Sequence, residues 1–267
     1  MPETLRLGRM AFTNVTPLEA AFDLGVFTRD ANITAGVPSA LNAAMDAGEL
    51  DVSPMSAAHY LANADRYVRL GDLGIVARGA VLSVVLASPI PPSLLGGAEV
   101  AVTADSASGR VLLEALLSKR YGVEAVFTVV DDAFDAALQG RPTLLIGDAA
   151  LDAGERLASE TIYDLGHAWR DWSGLPMVFA VWAARADVAA SRPDDIAALV
   201  ARYRDARAWG VAHRADVIAV ARRARPRTAA FYDRYFTALD HMIDAPAEAG
   251  LAAFGRAIDR EILHVTR

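Results

Sequence analysis

Leu144-Leu145-Ile146-Gly147-Asp148-Ala149-Ala150-Leu151 is the stretch whose reading decides the fold. Leu144-Leu145-Ile146 is a short apolar run with no period of its own, which fits a buried parallel strand and is too short for a helix. Gly147-Asp148 ends it. An acidic side chain at the carboxyl end of a buried strand stands where open α/β sheets expose their ligand crevice, so Asp148 is a candidate site residue. It is also a candidate cap for the helix that begins at Ala149.

Upstream, residues 99–103 and 125–130 read as strands and 132–138 as a helix. Ala104-Asp105-Ser106-Ala107-Ser108-Gly109 is a small-residue turn into a helix over 110–120. Such a turn leaves unpaired backbone N–H groups at a helix amino terminus, a seat for an anion, although an ordinary serine N-cap has the same pattern. Residues 74–87 (GIVARGAVLSVVLA) are too long for one ordinary strand and fit two strands, or one bent at Gly79. Ser88-Pro89-Ile90-Pro91-Pro92 then reads as a crossover.

At the amino-terminal end, residues 5–12 alternate as a strand and run into Thr13-Asn14-Val15-Thr16-Pro17, a helix-start signal that puts Asn14 at a strand-to-helix turn. Residues 38–48 form a helix that stops at Gly48, and 50–53 a short strand. A helix over 57–64 follows, with Ser56 near its first turn. Downstream, 177–182 (MVFAVW) is a buried strand that follows a second crossover near residues 172–176. From Pro193 the chain is helical over 194–209, 214–223, 228–243 and 247–263, a covering layer.

Two βαβ blocks joined by two crossovers make an α/β protein of two lobes, the architecture of the type II periplasmic-binding-protein-like fold. The expected division is 1–87 with 175–267 for the first lobe, the carboxyl-terminal helices lying on it, and 88–174 for the second. In that register Asn14, Ser56, Ser83, Ser106, Ser108 and Asp148 lie near the interlobe cleft. A fold of this kind does not by itself give a function.

Composition narrows the classes. The 267 residues are 54% hydrophobic and 22% charged, and the net charge of -7 argues against nucleic acid or an anionic membrane as partner. Arg222, Arg223, Arg225 and Arg227 read as one solvated helix edge and its turn. With no cysteine, disulfides, thiolate catalysis and cysteine-bound metals are excluded. The five histidines (His59, His167, His213, His241, His264) form no HxxxH or HExxH pair, and no motif implies a metal or an organic cofactor. The amino terminus lacks the apolar run of a secretory signal and no apolar span is long enough for a membrane helix, so a cytoplasmic location is expected.

The motifs Pro38-Ser39-Ala40-Leu41-Asn42, residues 48–56 (GELDVSPMS), Gly79 with Ser83-Val84-Val85-Leu86, Ser106-Ala107-Ser108, residues 146–151 (IGDAAL), Asp164-Leu165-Gly166 and residues 174–182 (GLPMVFAVW) together resemble the chorismate dehydratases of the futalosine route to menaquinone. The likeness spans residues 5–187 in matching order. It implies a hydro-lyase without metal or cofactor, which removes water from chorismate to give 3-[(1-carboxyvinyl)oxy]benzoate, with a substrate carboxylate taking the proton. Asn14 then holds the departing hydroxyl or orients a carboxylate, although a turn asparagine would occupy the same place. Ser106, Ser108 and the N–H groups of Ala107 and Ser108 hold one carboxylate, while Ser56 or Ser83 holds the other end. Asp148 orients a donor or caps its helix, and His167, Trp169 and Trp172 pack near the return crossover or wall the ring.

Two departures stand out. Where the family's turn reads Ser-x-Thr-Ser, this chain has Ser106-Ala107-Ser108-Gly109, one hydroxyl fewer. Where the sister enzyme 1,4-dihydroxy-6-naphthoate synthase carries a catalytic histidine, this chain has Ile146-Gly147-Asp148. The competing class is a non-catalytic binding protein for a small carboxylate. The oligomeric state leaves no mark on the sequence.

Overall fold

Strand alternation and turn chemistry build the first lobe. The structure, a computed structural model, describes residues 4–103 and 107–258. β1 (Leu5–Met10) buries Leu5, Leu7 and Met10 and leads through a 3-10 turn at Thr13–Val15 into α1 (Thr16–Asp23). Pro17 sits in the first turn of α1, where the amide hydrogen it lacks has no intrahelical partner to serve. Then come β2 (Ala31–Gly36), α2 (Pro38–Asp46), β3 (Val52–Ser56), α3 (Ala57–Ala62) and β4 (Tyr67–Ala77).

The second sheet is entered at β5 (Val84–Ala87) and continues through β6 (Glu99–Val102), α4 (Ala107–Ala115), β7 (Val126–Val129) and α5 (Ala133–Leu138). It closes with β8 (Thr143–Ile146), α6 (Gly147–Arg156), β9 (Ile162–Asp164) and α7 (Leu165–Ser173). β10 (Met177–Arg185) returns to the first sheet. After it follow α8 (Ala186–Ser191), α9 (Pro193–Ala212), α10 (Arg214–Ala224), α11 (Ala229–Ala238), β11 (Leu239–Met242) and α12 (Ala245–Ala257).

Both sheets are mixed, in the orders β11-β4-β10-β3-β1-β2 and β7-β6-β8-β5-β9. β1 lies parallel to β2 and β3, whereas β10 is antiparallel to β3 and β4. β10 is buried from Met177 to Ala184, which explains its unbroken apolar sequence: it is central, with helices or chain on both faces. The expected two-lobe α/β architecture with helices laid on the first lobe is what the chain adopts, α9 and α10 packing on α1.

Four segments depart from their sequence reading. Residues 228–243 are not one helix, because α11 ends at Ala238 and Leu239 and His241 turn inward at a period of two while β11 pairs with β4. Asp240 between them accepts from Arg78 and Arg207, both at 3.0 Å, which fixes that register. The passage out of the first sheet lies at residues 78–83, ahead of the boundary expected at residue 88, since β5 bonds β8 on one side and β9 on the other. Ser88 to Pro92 instead leads on to β6 within the second sheet. β2 and β9 were not legible: both are edge strands, and β2 exposes Asn32, Ile33, Thr34 and Ala35, so no burial pattern marks it.

The passage at 78–83 is held by the Asp164-Leu165-Gly166 motif. Asp164 Oδ atoms accept from the backbone N–H of Val81 at 3.0 Å, Leu82 at 2.7 Å and His167 at 2.9 Å, capping α7 at the same time. Burial pushes the Asp164 carboxyl above its ordinary range despite these donors. Leu82 has φ +62°, a left-handed conformation that costs a leucine about 1–3 kcal/mol and persists only where neighbours impose it. Gly166 has to be glycine for the same contact, since a Cβ there would come within 2.6 Å of the Gly79 carbonyl oxygen.

Arg222 and Arg223 are exposed, the solvated helix edge expected of them, but the arginines of the α10–α11 turn are paired. Arg225 Nε lies 3.1 Å from Asp148 Oδ2, and the buried Arg227 pairs with Asp152 and Glu155, all three acids being on α6. The helical layer that rests on the first lobe thus also grips the second.

Candidate active site

The carboxyl ends of β1, β3 and β8 and the 78–83 passage converge on a pocket of about 560 Å³ between the lobes, counted out to its open mouth. Asn14, Ser56, Ser83 and Ser108 all line it, drawn from both lobes. Ser106 lies outside the described residues, and Ala107 is placed as the first residue of α4. Phe12, Val84, Ile146, Met10, Ile75 and Phe179 supply much of its apolar wall.

Each serine is already engaged on one side. Ser56 ends β3 and caps α3, its Oγ accepting from the His59 N–H at 3.2 Å and from Asn42 Nδ2 at 3.4 Å. Ser108 Oγ accepts from the Ala58 N–H at 3.1 Å, so a hydroxyl of the second lobe serves the first turn of a helix in the first. A hydroxyl that accepts keeps its own hydrogen to donate, which leaves Ser56 and Ser108 as donors at the pocket wall. Ser83 is buried and donates to the Val81 carbonyl at 3.4 Å, with the buried Tyr235 of α11 beside it.

Asn14 is the lining residue that keeps an unpaired polar atom. Its Oδ1 is fully buried with no hydrogen-bond partner among the described residues, whereas its backbone carbonyl lies 2.7 Å from His241 Nε2. Every charged or titratable side chain is missing from the described lining, which holds Asn14 and three serines as its polar side chains. Among the described residues no cluster of three or more His, Asp and Glu side chains has the arrangement of a metal site.

The profile of menaquinone biosynthesis proteins matches residues 5–260. The chain belongs to the menaquinone biosynthesis family. It is 28% identical to the chorismate dehydratase of Thermus thermophilus, over 94% of each chain. Among solved structures it resembles a protein of Archaeoglobus fulgidus (TM-score 0.75, 18% identity, 95% of this chain and 96% of that one). It also resembles the periplasmic aliphatic sulphonate binding protein of Escherichia coli (TM-score 0.66, 18% identity, 96% and 91%), a likeness of fold.

In this member of the menaquinone biosynthesis family, Asp148 sits back from the pocket. It does not cap α6 with its side chain: one oxygen accepts from Thr13 Oγ1 at 2.6 Å and the other pairs with Arg225. Of the alternatives for His167, Trp169 and Trp172, packing near the return crossover holds for Trp169, and none of the three is in the described lining. Trp169 is buried against Phe254 and donates to the Pro176 carbonyl, while His167 and Trp172 are exposed, so Phe12 and Phe179 do the walling. Phe12 lies flat against Gly147, which has φ +57° and where a Cβ would come within 2.9 Å of the ring. No side chain fits at that point of the strand end.

His241 and Tyr235 escaped sequence reading because nothing in their neighbourhood in the chain links them to a site more than 200 positions away in one case and more than 150 in the other. Burial pushes the His241 imidazole down to about 4, against the pull of the Asn14 carbonyl and Asp240 and with the help of Arg207 and Arg214. The ring is therefore neutral at pH 7 and donates its Nε2 hydrogen to Asn14. A folded-state value below the unfolded one makes protonation favour the unfolded chain. The contribution is whole above about pH 6.5 and fades by roughly 3 kcal/mol as pH falls to about 4. His241→Gln keeps an N–H donor without the titration. Thermal unfolding followed from pH 7 downward should show a shallower fall in Tm for the variant, and equal slopes would remove His241 as the cause.

Proposed function

We propose that the pocket binds chorismate and eliminates water from it, giving 3-[(1-carboxyvinyl)oxy]benzoate. The observation that carries this reading is Asn14, a lining residue whose Oδ1 is buried without a partner, at a pocket whose described lining offers no acid or base. Once both carboxyl groups are ionised, chorismate has a single O–H donor, its ring hydroxyl. Asn14 Oδ1 is a buried acceptor lacking a donor, so that hydroxyl supplies the missing bond and is held in place by it. Ser56 and Ser108 point their hydrogens at the carboxylates from opposite lobes, each such charge-assisted bond worth roughly 1.5–3 kcal/mol.

The elimination breaks the C–H bond of the ring carbon that carries the ether and the C–O bond of the neighbouring carbinol carbon. The ring becomes aromatic, and proton and hydroxyl depart as water. With no protein base in the described lining, a carboxylate of the substrate takes the proton. The enolpyruvyl carboxylate is tethered through the ether to the reacting carbon and can fold back on it, whereas the ring carboxylate is held away in the ring plane. Catalysis is then positioning: the walls of Phe12 and Phe179 fix the ring while Asn14 and the serines fix its substituents.

The test is to mix the purified protein with excess chorismate and follow the product by mass and ultraviolet absorbance. Conversion well beyond one equivalent is expected. Retention of one equivalent without conversion would make the chain a carboxylate-binding protein instead, in keeping with its likeness in fold to the sulphonate-binding protein.

A further inference from the structure

The turn that carries Asn14 is bonded from both lobes. From the first, His241 donates to the Asn14 carbonyl at 2.7 Å. From the second, Asp148 at the start of α6 accepts the hydroxyl hydrogen of Thr13, the residue before Asn14, at 2.6 Å. The Phe12 ring lies on the bare backbone of Gly147, one position before Asp148. The Asp148 side chain is only 8% exposed, and Arg225 from the helical layer closes over its second oxygen at 3.1 Å.

Only the bonds from the second lobe depend on the lobes being together. If the lobes part, Asp148 leaves both Thr13 and Arg225 and Phe12 loses Gly147, while His241 stays with Asn14. We propose that Asp148, held by Arg225, is a positioning residue: by taking the Thr13 hydroxyl as the lobes meet, it locks the Thr13–Val15 turn and so aligns Asn14 only in the closed enzyme. The alignment needed for elimination is thereby completed by closure, and an open enzyme holds substrate without the carboxamide in place. This rests on the reading of Asn14 as the residue that holds the departing hydroxyl.

Thr13→Val removes the hydroxyl at nearly constant shape, and Thr13→Ser keeps it. With chorismate as substrate, Thr13→Val should lower kcat about 10- to 100-fold with a much smaller change in KM, as expected for a reacting group held out of line. Thr13→Ser should recover most of the rate. In an Asn14→Ala background Thr13→Val should have little further effect, because the two residues act as one unit. An unchanged kcat in Thr13→Val, or the same loss with and without Asn14, overturns the proposal.

A second readout needs no turnover. In the full chain without substrate, hydrogen exchange at the Val15 and Thr16 amides, which bond back to Phe12 and Thr13, should quicken about fivefold or more in Thr13→Val while β10 is unaffected. Unchanged exchange there overturns the lock. A wild type that does not convert chorismate would overturn the functional reading alone, and the exchange measurement would still decide whether the turn is locked.

Discussion

Replacing Asn14 with alanine should lower kcat for chorismate about 10²–10³-fold, the usual cost of removing one aimed hydrogen-bonding group from a site of this kind. The same change should leave the ligand-free protein no less stable. Asn14 Oδ1 is buried without a donor, a situation that costs a fold about 1–3 kcal/mol, and alanine removes it. Rate and Tm therefore move apart, as they do where a site keeps strain for function. Asn14→Asp should be as slow, since it sets a third negative charge against a dianion. Steady-state kinetics beside thermal melts give the answer. An unchanged kcat removes Asn14 from the chemistry, and a parallel fall of rate and Tm makes it a structural residue.

The largest effect on stability should come from Glu19→Ala, far from the pocket. Glu19 is 1% exposed on α1, and its carboxylate takes both guanidinium nitrogens of the buried Arg29, at 2.6 and 3.1 Å, and the Tyr203 hydroxyl of α9 at 3.3 Å. Arg29 in turn donates to Tyr203 at 3.0 Å and lies 4.2 Å above the Phe22 ring. Removing the carboxylate leaves a buried guanidinium without its counter-charge, which costs about 3–5 kcal/mol. For a chain of this size that is a fall in Tm of roughly 6–20 °C. Turnover per folded molecule, measured well below the transition, should hold. A Tm shift of only a degree or two would mean that Arg29 finds solvent once its partner is gone.

Much of the fold was legible because it rests on local signals. Leu144-Leu145-Ile146 and residues 177–182 are buried strands whose neighbours cover both faces, and buried strands write themselves as unbroken apolar runs. Pro17 and Pro38 marked the starts of α1 and α2. The edge strands β2 and β9 and the short β11 were hidden, since their pairing is decided by what lies beside them in space. The same division runs through the site. Asn14, Ser56, Ser83 and Ser108 each sit at the end of a strand or the start of a helix, a place readable from the chain alone, and all four meet in the pocket. The arginine turn misled for the opposite reason: Arg225 and Arg227 look like solvated helix charges until α6 is folded against them. His241 and Tyr235 touch the site residues only through tertiary packing, so no spacing in the sequence announces them.

The measurement that bears most directly on a pocket of neutral donors is the pH dependence of kcat for water loss from excess chorismate. Since no titratable side chain is found in the described lining, kcat should stay level from about pH 6 to 9, where the substrate carboxylates are ionised throughout. A bell-shaped profile with its limbs inside that range would show a protein acid and base at work and contradict the account.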